Sequence, residues 1–344
     1  MALQEIKAID IFSGAGLGSY GAKQAGVQTV CAIDMEPVAM ATFADNFPNA
    51  RTITSRLEDI DVVALASEIG DVDLMIASPE CTNHTCARGA RPQSEESRAT
   101  ALQAVRFARA FRPRWVVMEN VVHMRPWSRY PDLKRQLTEL GYTLEEQVLD
   151  ASYFGVPQRR RRLFLVGDLR GRPGIVRTPR RRVFPNVESI LDAPGTWKTT
   201  DLDSPRRAKA TLERADRAFS EIGRQTPFLI VYYGTDGGGG WQTLDRPLRT
   251  VTTVDRFALV TPSEGGHQMR MLQVTELRKA MGLSSRFRLN HGTRREKVKL
   301  LGNGIAAPVM RAVVKALTES EQYLTGSGLE PADMRDKITE KVFA

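Results

Sequence analysis

The sequence predicts an α/β protein in which a doubly wound, mostly parallel sheet is joined to a smaller unit rich in loops and strands. Short apolar segments alternate with helical segments over the first 168 residues, which is typical of a parallel sheet covered by helices. A glycine-rich turn follows the first apolar segment and begins the first helix. From residue 170 the chain becomes richer in Gly, Pro and Arg, which indicates a second unit.

The individual elements follow from the apolar patterns. We expect buried strands at 6–12, 27–34, 72–77, 115–118 and 162–166, and helices at 19–26, 36–46, 98–111 and 131–140. In the second unit the pattern predicts a helix near 205–222 and strand structure within 249–260, and 305–318 is again helical. We therefore predict a first domain of residues 1–168 plus 300–322, a second domain at 169–299 and a peripheral tail at 323–344.

Composition limits the class of protein. The 344 residues, 42% of them hydrophobic, are enough for a sizeable core. Three cysteines, Cys31, Cys81 and Cys86, cannot form a disulfide framework, which favours a reducing cytoplasm. No apolar run approaches the roughly 18 residues of a membrane span, and the N-terminus lacks a signal pattern. We expect a soluble cytoplasmic monomer with no membrane contact and no obligate protein partner.

The positive charge is concentrated in one segment. The whole chain has a formal net charge of +9, and residues 151–182 hold ten arginines against the single acid Asp168. The remainder is close to neutral in total. Such a block suits a polyanion such as nucleic acid, although a solvated basic face would have the same composition.

The first chemical motif is the turn from Asp10 to Gly18, which carries glycines at 14, 16 and 18. Glycines there allow close approach of a ligand to the backbone, and Asp34 ends the next strand, where an acid can bond ribose hydroxyls. The motif is consistent with nucleotide or S-adenosyl-L-methionine (AdoMet) binding. A turn without a ligand would also explain it.

Two reactive groups follow later strands. Cys81 comes directly after the strand at 72–77, and Glu119 ends the strand at 115–118, so both lie at the edge where doubly wound sheets bind ligands. A cysteine there can be a nucleophile; an inert buried cysteine and a capping glutamate are the alternatives. Cys81, His84 and Cys86 suggest zinc, but no fourth ligand is evident, so we expect no metal.

Six motifs in order make the chain resemble the DNA cytosine-5 methyltransferase family over residues 6–318. They are the Asp10-x-Phe12-x-Gly14-x-Gly16 loop, the Cys81 loop, Glu119-Asn120-Val121, Gln158 to Arg162, Arg270-x-Leu272 with Glu276 through Gly282, and Leu301-Gly302-Asn303-Gly304 through Pro308. The resemblance implies a Rossmann-like AdoMet-dependent fold whose second unit is a target recognition domain.

The resemblance also implies a mechanism. Cys81 adds to C6 of a flipped-out cytosine, Glu119 bonds N3 and the exocyclic amine and supplies a proton, and Arg160 and Arg162 engage the base O2 and the nearby loop. The cofactor AdoMet would contact Phe12, Gly14 and Gly16 in the loop, Asp34 on the ribose, Met35 and Asp59 at the adenine, and Asn303 near the methionine end.

Three residues depart from the family pattern. Glu80 and Thr82 replace the usual Pro and Gln around the nucleophile, and Leu17 stands where glycine is common. A carboxylate beside the thiol would disfavour the thiolate, so we expect Glu80 either to pair with Arg160 or Arg162 or to contact the incoming base.

Target recognition is expected within the second unit. Thr250-Val251 resembles a pair found in the family, although a β-branched strand pair would explain it as well, and Gln242 and Arg246 are candidate base readers beside the Gly237–Gly240 run. The resemblance implies double-stranded DNA as substrate, for a prokaryotic or phage-encoded enzyme of restriction-modification, phage self-protection or regulation. An RNA methyltransferase and a catalytically silent DNA-binding relative stay open.

Overall fold

The computed structural model describes residues 5–79, 99–180, 183–233 and 239–326, with side chains up to Glu319. Its larger sheet has seven strands in the order β3-β2-β1-β4-β5-β7-β6. They are β1 (Ile6–Ile11), β2 (Val27–Asp34), β3 (Arg51–Thr54), β4 (Leu74–Ala77), β5 (Trp115–Asn120), β6 (Thr143–Asp150) and β7 (Arg161–Asp168). Only β7 runs in the direction opposite to the other six strands, so the predicted doubly wound, mostly parallel sheet is confirmed.

Helices cover both faces of this sheet. Before the second unit these are α1 (Leu17–Lys23), α2 (Pro37–Asn46), α3 (Val62–Ile69), α4 (Gln103–Phe111) and α5 (Tyr130–Glu139). The sequence pattern predicted four of the five and missed α3. It also missed β3 and β6, the two edge strands: exposed residues flank β3, and β6 carries charged side chains at a solvated edge.

The second unit contains a five-stranded antiparallel sheet in the order β10-β9-β11-β12-β8. Its strands are β8 (Thr200–Asp201), β9 (Phe228–Val231), β10 (Trp241–Thr243), β11 (Phe257–Ser263) and β12 (Gly266–Met271). Helix α6 (Lys209–Ile222) packs its buried Ala215 and Ala218 against Phe228 and Ile230. The strand expected within 249–260 begins only at Phe257.

The chain then returns to the large sheet. After α7 (Val274–Ala280) and α8 (Arg294–Asn303), helix α9 (Ala307–Gly326) packs on α1. The approach is so close that a Cβ on Gly21 would meet the carbonyl oxygen of Ala307 at 2.4 Å. The return of the chain to α1 is compatible with the prediction that residues 300–322 belong to the first domain. The domain boundaries themselves stay a prediction.

One apolar stretch in the described part of the chain is long enough to cross a membrane. It lies within Arg294–Glu319, and 61% of it is buried inside the protein. Met310 and Val313 of this stretch are buried in the core beside the large sheet, which is typical of a core helix.

Candidate active site

A cleft of about 520 Å³ lies where the chain order of the large sheet reverses, at the carboxyl ends of β1 and β4. This is the edge at which open α/β sheets bind ligands. Of the residues predicted for the site, eight line the cleft: Phe12, Gly14, Asp34, Met35, Glu119, Arg160, Arg162 and Asn303. They come from four strand ends and from the end of α8, so tertiary structure brings together residues nearly 300 positions apart.

The glycine-rich loop forms the floor of the cleft. Phe12 and Gly14 both have left-handed backbones, with φ of 53° and 52°, and for Phe12 this conformation is uncommon and costs about 1 kcal/mol or more. No atom lies within 4 Å of the position that a Gly14 Cβ would take. The loop therefore leaves open space at its turn, as a closely approaching ligand requires.

Gly16 has a different role from the one expected. A Cβ on it would meet the rings of Phe43 and Phe47 within 2.9 Å, and its φ is 83°. Gly16 faces these aromatic rings of α2 and its C-terminus and does not line the cleft. The glycine is required for packing of the loop on α2.

Asp34 stabilises the loop and still faces the cleft. Its carboxylate accepts hydrogen bonds from the backbone N–H of Gly14 at 2.8 Å and of Glu36 at 2.9 Å. Burial raises its pKa and is the largest influence, while these two N–H donors oppose it. Each carboxylate oxygen retains a lone pair for a ligand hydroxyl.

The wall beyond β3 is formed by other residues than the expected Asp59. Ser55 to Glu58 line the cleft, whereas Asp59, exposed at the end of a short 3₁₀ turn, is not among its lining residues. Arg106 on α4 holds this segment by donating to the carbonyl oxygens of Leu57 at 2.9 Å and of Ile60. The sequence motifs gave no indication of Arg106.

Glu119 is the acid of the cleft. It is 6% exposed at the end of β5, and burial, the largest influence, raises its pKa against the opposing charges of Arg162 and Arg160. The Arg162 Nε lies 3.1 Å from Glu119 Oε1. Among the described residues that oxygen accepts no hydrogen bond of good geometry, so its described contact is the ion pair with Arg162.

Arg160 joins three segments of backbone. Its terminal nitrogens donate to the carbonyl oxygens of Val251 at 3.0 Å and of Gly302 and Gly304 at 2.8 Å each, and the residue is 2% exposed. These bonds occupy the groups expected to engage the base. Of the two arginines, Arg162 is the one whose guanidinium faces Glu119.

The predicted nucleophile Cys81 and its neighbour Glu80 lie outside the described residues, as do Thr82, His84 and Cys86. The chain leading to Cys81 is described as far as Pro79, which lines the cleft. The Asn120 side chain donates to the Pro79 carbonyl oxygen at 3.1 Å, and the Ser78 hydroxyl donates to the Phe12 carbonyl oxygen at 2.9 Å. Asn120 thus holds the main chain at Pro79. The sequence analysis included Asn120 in the Glu119-Asn120-Val121 motif but assigned it no role.

Comparison with known proteins identifies the architecture. The model of the C-5 cytosine-specific DNA methylase family matches residues 6–319. The chain belongs to this family. Members of the family use AdoMet as methyl donor, and the predicted fold and cofactor are thereby confirmed.

Individual relatives agree with the family model. The Type II methyltransferase M.DdeI of Desulfomicrobium norvegicum is 33% identical over 54% of this chain and 48% of its own length, so the aligned part spans about half of that relative. M.HgiDI of Herpetosiphon aurantiacus is 28% identical over 71% of this chain and 80% of its own. A putative DNA modification methyltransferase from an E. coli prophage shares the fold at a TM-score of 0.66, with 18% identity, 91% of this chain and 99% of that one covered.

The cleft fits the family's cofactor. Its volume is in the range of small-molecule sites, the open turn at Gly14 admits a ligand, and Met35 exposes 59% of its surface at the rim. An exposed methionine beside a cleft suits contact with a flat ring. Asn303, also exposed, supplies a polar group at the opposite wall.

The predicted base readers are mostly internal to the methylase fold. Gln242 is 8% exposed, and its Oε1 accepts from Arg249 N at 3.2 Å. Val251 is 1% exposed and donates its N–H to the Gln158 side chain, while the Thr250 hydroxyl donates to the Arg159 carbonyl oxygen. Thr250 and Val251 therefore connect the second unit to the segment 158–159 of the first. Of the four predicted recognition residues, Arg246 is the exposed one.

The arginine block is divided by the fold. Arg159, Arg161, Arg177 and Arg180 are exposed, whereas Arg160 is buried, and Arg181 and Arg182 lie outside the described residues. The described side chains contain no group of three or more potential metal ligands.

Proposed function

We propose that this chain methylates C5 of cytosine in one specific duplex DNA sequence, with AdoMet as donor and Cys81 as nucleophile. The observation that carries the proposal is the cleft at the switch point, which is lined both by the buried Glu119, ion-paired with Arg162, and by the glycine loop of a cytosine-5 methylase fold. Pro79, two residues before Cys81, lines the same cleft. This supports the assignment of Cys81 as the nucleophile that attacks a base held by Glu119.

Cytosine becomes reactive through a covalent bond to the protein. The Cys81 thiolate forms a bond to C6, and N3 takes a proton from Glu119, so that the C5=C6 double bond becomes an enamine with a nucleophilic C5. When bound, AdoMet supplies an electrophilic methyl group. After C5 is methylated, a base removes the C5 proton, the C6–S bond breaks with release of the thiolate, and N3 returns its proton to Glu119.

The raised pKa of Glu119 serves this proton transfer. Burial favours the neutral carboxyl group, which can donate to N3, and the charge of Arg162 beside it is available to the negative charge that develops on the ring. Phe12, Gly14, Asp34, Met35 and Asn303 would hold the cofactor, with Leu57 and Glu58 in the position expected for Asp59. Because C5 and C6 are shielded in a duplex, the base must be flipped out, at a cost of a few kcal/mol.

The relatives named Type II methyltransferases favour a restriction-modification role. The deciding experiment is bisulfite sequencing of plasmid DNA from cells that express the chain, with the Cys81→Ser variant beside it. We expect methylcytosine at one recurrent sequence with the wild type and none with Cys81→Ser. A duplex containing 5-fluorocytosine should trap the wild type covalently, and Cys31→Ser, which alters a buried thiol of β2, should still be trapped.

An RNA substrate is the competing hypothesis, and a methylation assay on both nucleic acids distinguishes it from a DNA substrate. Methylation of RNA and not of DNA would contradict the proposed substrate while leaving the mechanism intact. Full activity of Cys81→Ala would contradict the mechanism itself.

A further inference from the structure

A second groove lies on the other side of α8 from the cofactor cleft. Helix α8 presents Glu296, Lys299 and Asn303 to the cleft, and it presents Arg294 and Lys297 to the groove. The groove encloses about 420 Å³ between the start of α7 and the segment 285–290. The proposed function uses none of the residues that line it.

The lining of this groove is strongly basic. Four cations line it, Arg278, Arg288, Arg294 and Lys297, and no carboxylate does. The cofactor cleft differs, because Asp34, Glu119 and Glu296 are among its lining residues. The charge difference marks the groove as a site for an anion and not for a neutral or cationic ligand.

The sequence contains the same charge in a compact segment. Residues 278–299 hold eight Lys and Arg residues against the single acid Glu296. The chain therefore contains a second basic segment in addition to the arginine block. Acidic residues elsewhere offset its charge, so it does not show in the net charge of the chain.

Most of the nearby acids are already engaged with other groups. Asp255 pairs with Arg294. Asp192 accepts from Lys279 at 2.8 Å and from the Trp197 indole at 2.9 Å. Asp45 accepts from Asn290 and contacts His291.

Arg288 and Lys297 form no salt bridge with any described residue. Arg288 is exposed, and its backbone N–H donates to the Asn46 side chain at 2.8 Å, so the position of its main chain is fixed. Its guanidinium forms no salt bridge within the described residues, although the pKa of Asp45 is lowered mainly by a hydrogen bond with His291 and least by the charge of Arg288. Phe287 and Leu289 supply an apolar base beneath the cations, which strengthens the attraction for a phosphate by lowering the local dielectric.

We infer that this groove binds the phosphate backbone of DNA outside the methylated sequence, through Arg288 and Lys297. The inference rests on the proposed function, because duplex DNA is the polyanion on which the proposed enzyme acts. A contact of this kind is independent of sequence, adds affinity for long DNA, and weakens steeply with salt.

The test compares a short duplex that carries only the target sequence with a duplex of about 40 base pairs that carries the same target centrally. The groove variant is Arg288→Gln/Lys297→Gln. The matched control is Arg311→Gln/Lys315→Gln on α9, which removes the same charge at exposed positions outside the groove. Binding of each protein to each duplex is measured over a series of salt concentrations.

We expect the groove variant to lower the salt slope by roughly 1.8 on the long duplex, since each lost phosphate contact lowers it by about 0.9, and to leave the short duplex unchanged. The control should change neither slope. A long-duplex slope equal to that of the control, or an equal fall on both duplexes, would overturn the inference. Polyglutamate, a polyanion without phosphate, serves as a further probe. If the groove variant loses more binding to polyglutamate than to long DNA, the inference is also overturned.

Failure of the groove and failure of the proposed function give different results. If the proposed function is wrong, the wild type methylates neither duplex. If only the groove assignment is wrong, the wild type methylates both, and the groove variant binds both as the control does. Far-ultraviolet circular dichroism of both variants shows that they are folded.

Discussion

The two sheets of this protein differ in where they place the residues that the sequence predicted for the functional site. At the large sheet, eight predicted residues line one cleft. In the second unit, Gln242 and Val251 are buried and bonded internally, and only Arg246 is fully exposed. The parallel sheet brings the ends of its strands to one edge by its own geometry, whereas nothing in a short antiparallel strand determines which residues face DNA.

The two arginines of the cleft also differ in their contacts. Arg160 immediately precedes β7 and Arg162 is its second residue, so the alternation of side chains along a strand does not by itself separate them. Arg162 reaches Glu119, while Arg160 joins the backbone of the second unit and of α8. A sequence motif places both arginines correctly in the chain and cannot separate these two roles.

The largest expected effect tests the large-sheet site. Glu119→Gln removes the transferable proton and keeps the shape of the side chain, so we expect the methyl-transfer rate to fall at least about a hundredfold. AdoMet and DNA binding should change little, as single-turnover kinetics and equilibrium binding will show. A parallel loss of binding and rate would make Glu119 a structural residue.

The pH profile of the wild type sharpens this test. Because burial raises the pKa of Glu119, the neutral carboxyl group persists above the pH at which a free glutamate ionises, and the rate should fall as pH rises through the folded pKa. Glu119→Gln should lack that decline. An identical profile in the variant would assign the decline to another group.

The next effect tests the second unit. Gln242→Ala leaves the partly buried Arg249 N–H without its acceptor, so we expect the free energy of unfolding to fall by about 1 kcal/mol with the methylated sequence unchanged. Arg246→Gln, at an exposed neighbouring position, should leave stability within about 0.5 kcal/mol. Urea denaturation and bisulfite sequencing measure the two properties. A changed target sequence in Gln242→Ala would restore it as a base reader.

An effect of similar size tests the wall of the cofactor cleft. Arg106→Met removes the donors that hold Leu57 and Ile60, and we expect the Kd for AdoMet to rise about tenfold, equivalent to about 1.4 kcal/mol. Arg109→Met, on an exposed face of the same helix, is the control. The rate at saturating AdoMet should stay within twofold of the wild type, and an unchanged Kd would contradict a positioning role.

The smallest effect concerns single exposed arginines of the basic block. Arg161→Gln or Arg177→Gln should each lower the salt slope of DNA binding by about 0.9 if the side chain contacts a phosphate. The loss should be the same for specific and unrelated sequences. An unchanged slope would assign that arginine to a solvated face.

Some features of the fold were predictable from local pattern alone. The strands β1, β2 and β4 are rich in buried apolar residues, and the glycine loop between β1 and α1 marks the ligand edge. The edge strands β3 and β6 were missed because solvent covers one side of each and weakens their apolar pattern. Helix α3 was missed although Asp61 caps it by accepting from the N–H groups of Val63 and Ala64.

The sequence by itself determined the family, the parallel sheet and the strand ends that carry Glu119, Asp34 and the glycine loop, because these depend on residue type and on spacing along one strand. The tertiary structure decided that Asp59 is not among the residues lining the cleft, that Arg106 holds the wall of the cleft, and that basic residues of α7, α8 and the segment between them line one groove. Those outcomes depend on which distant segments pack together, and packing is a property of the whole chain that no local pattern contains.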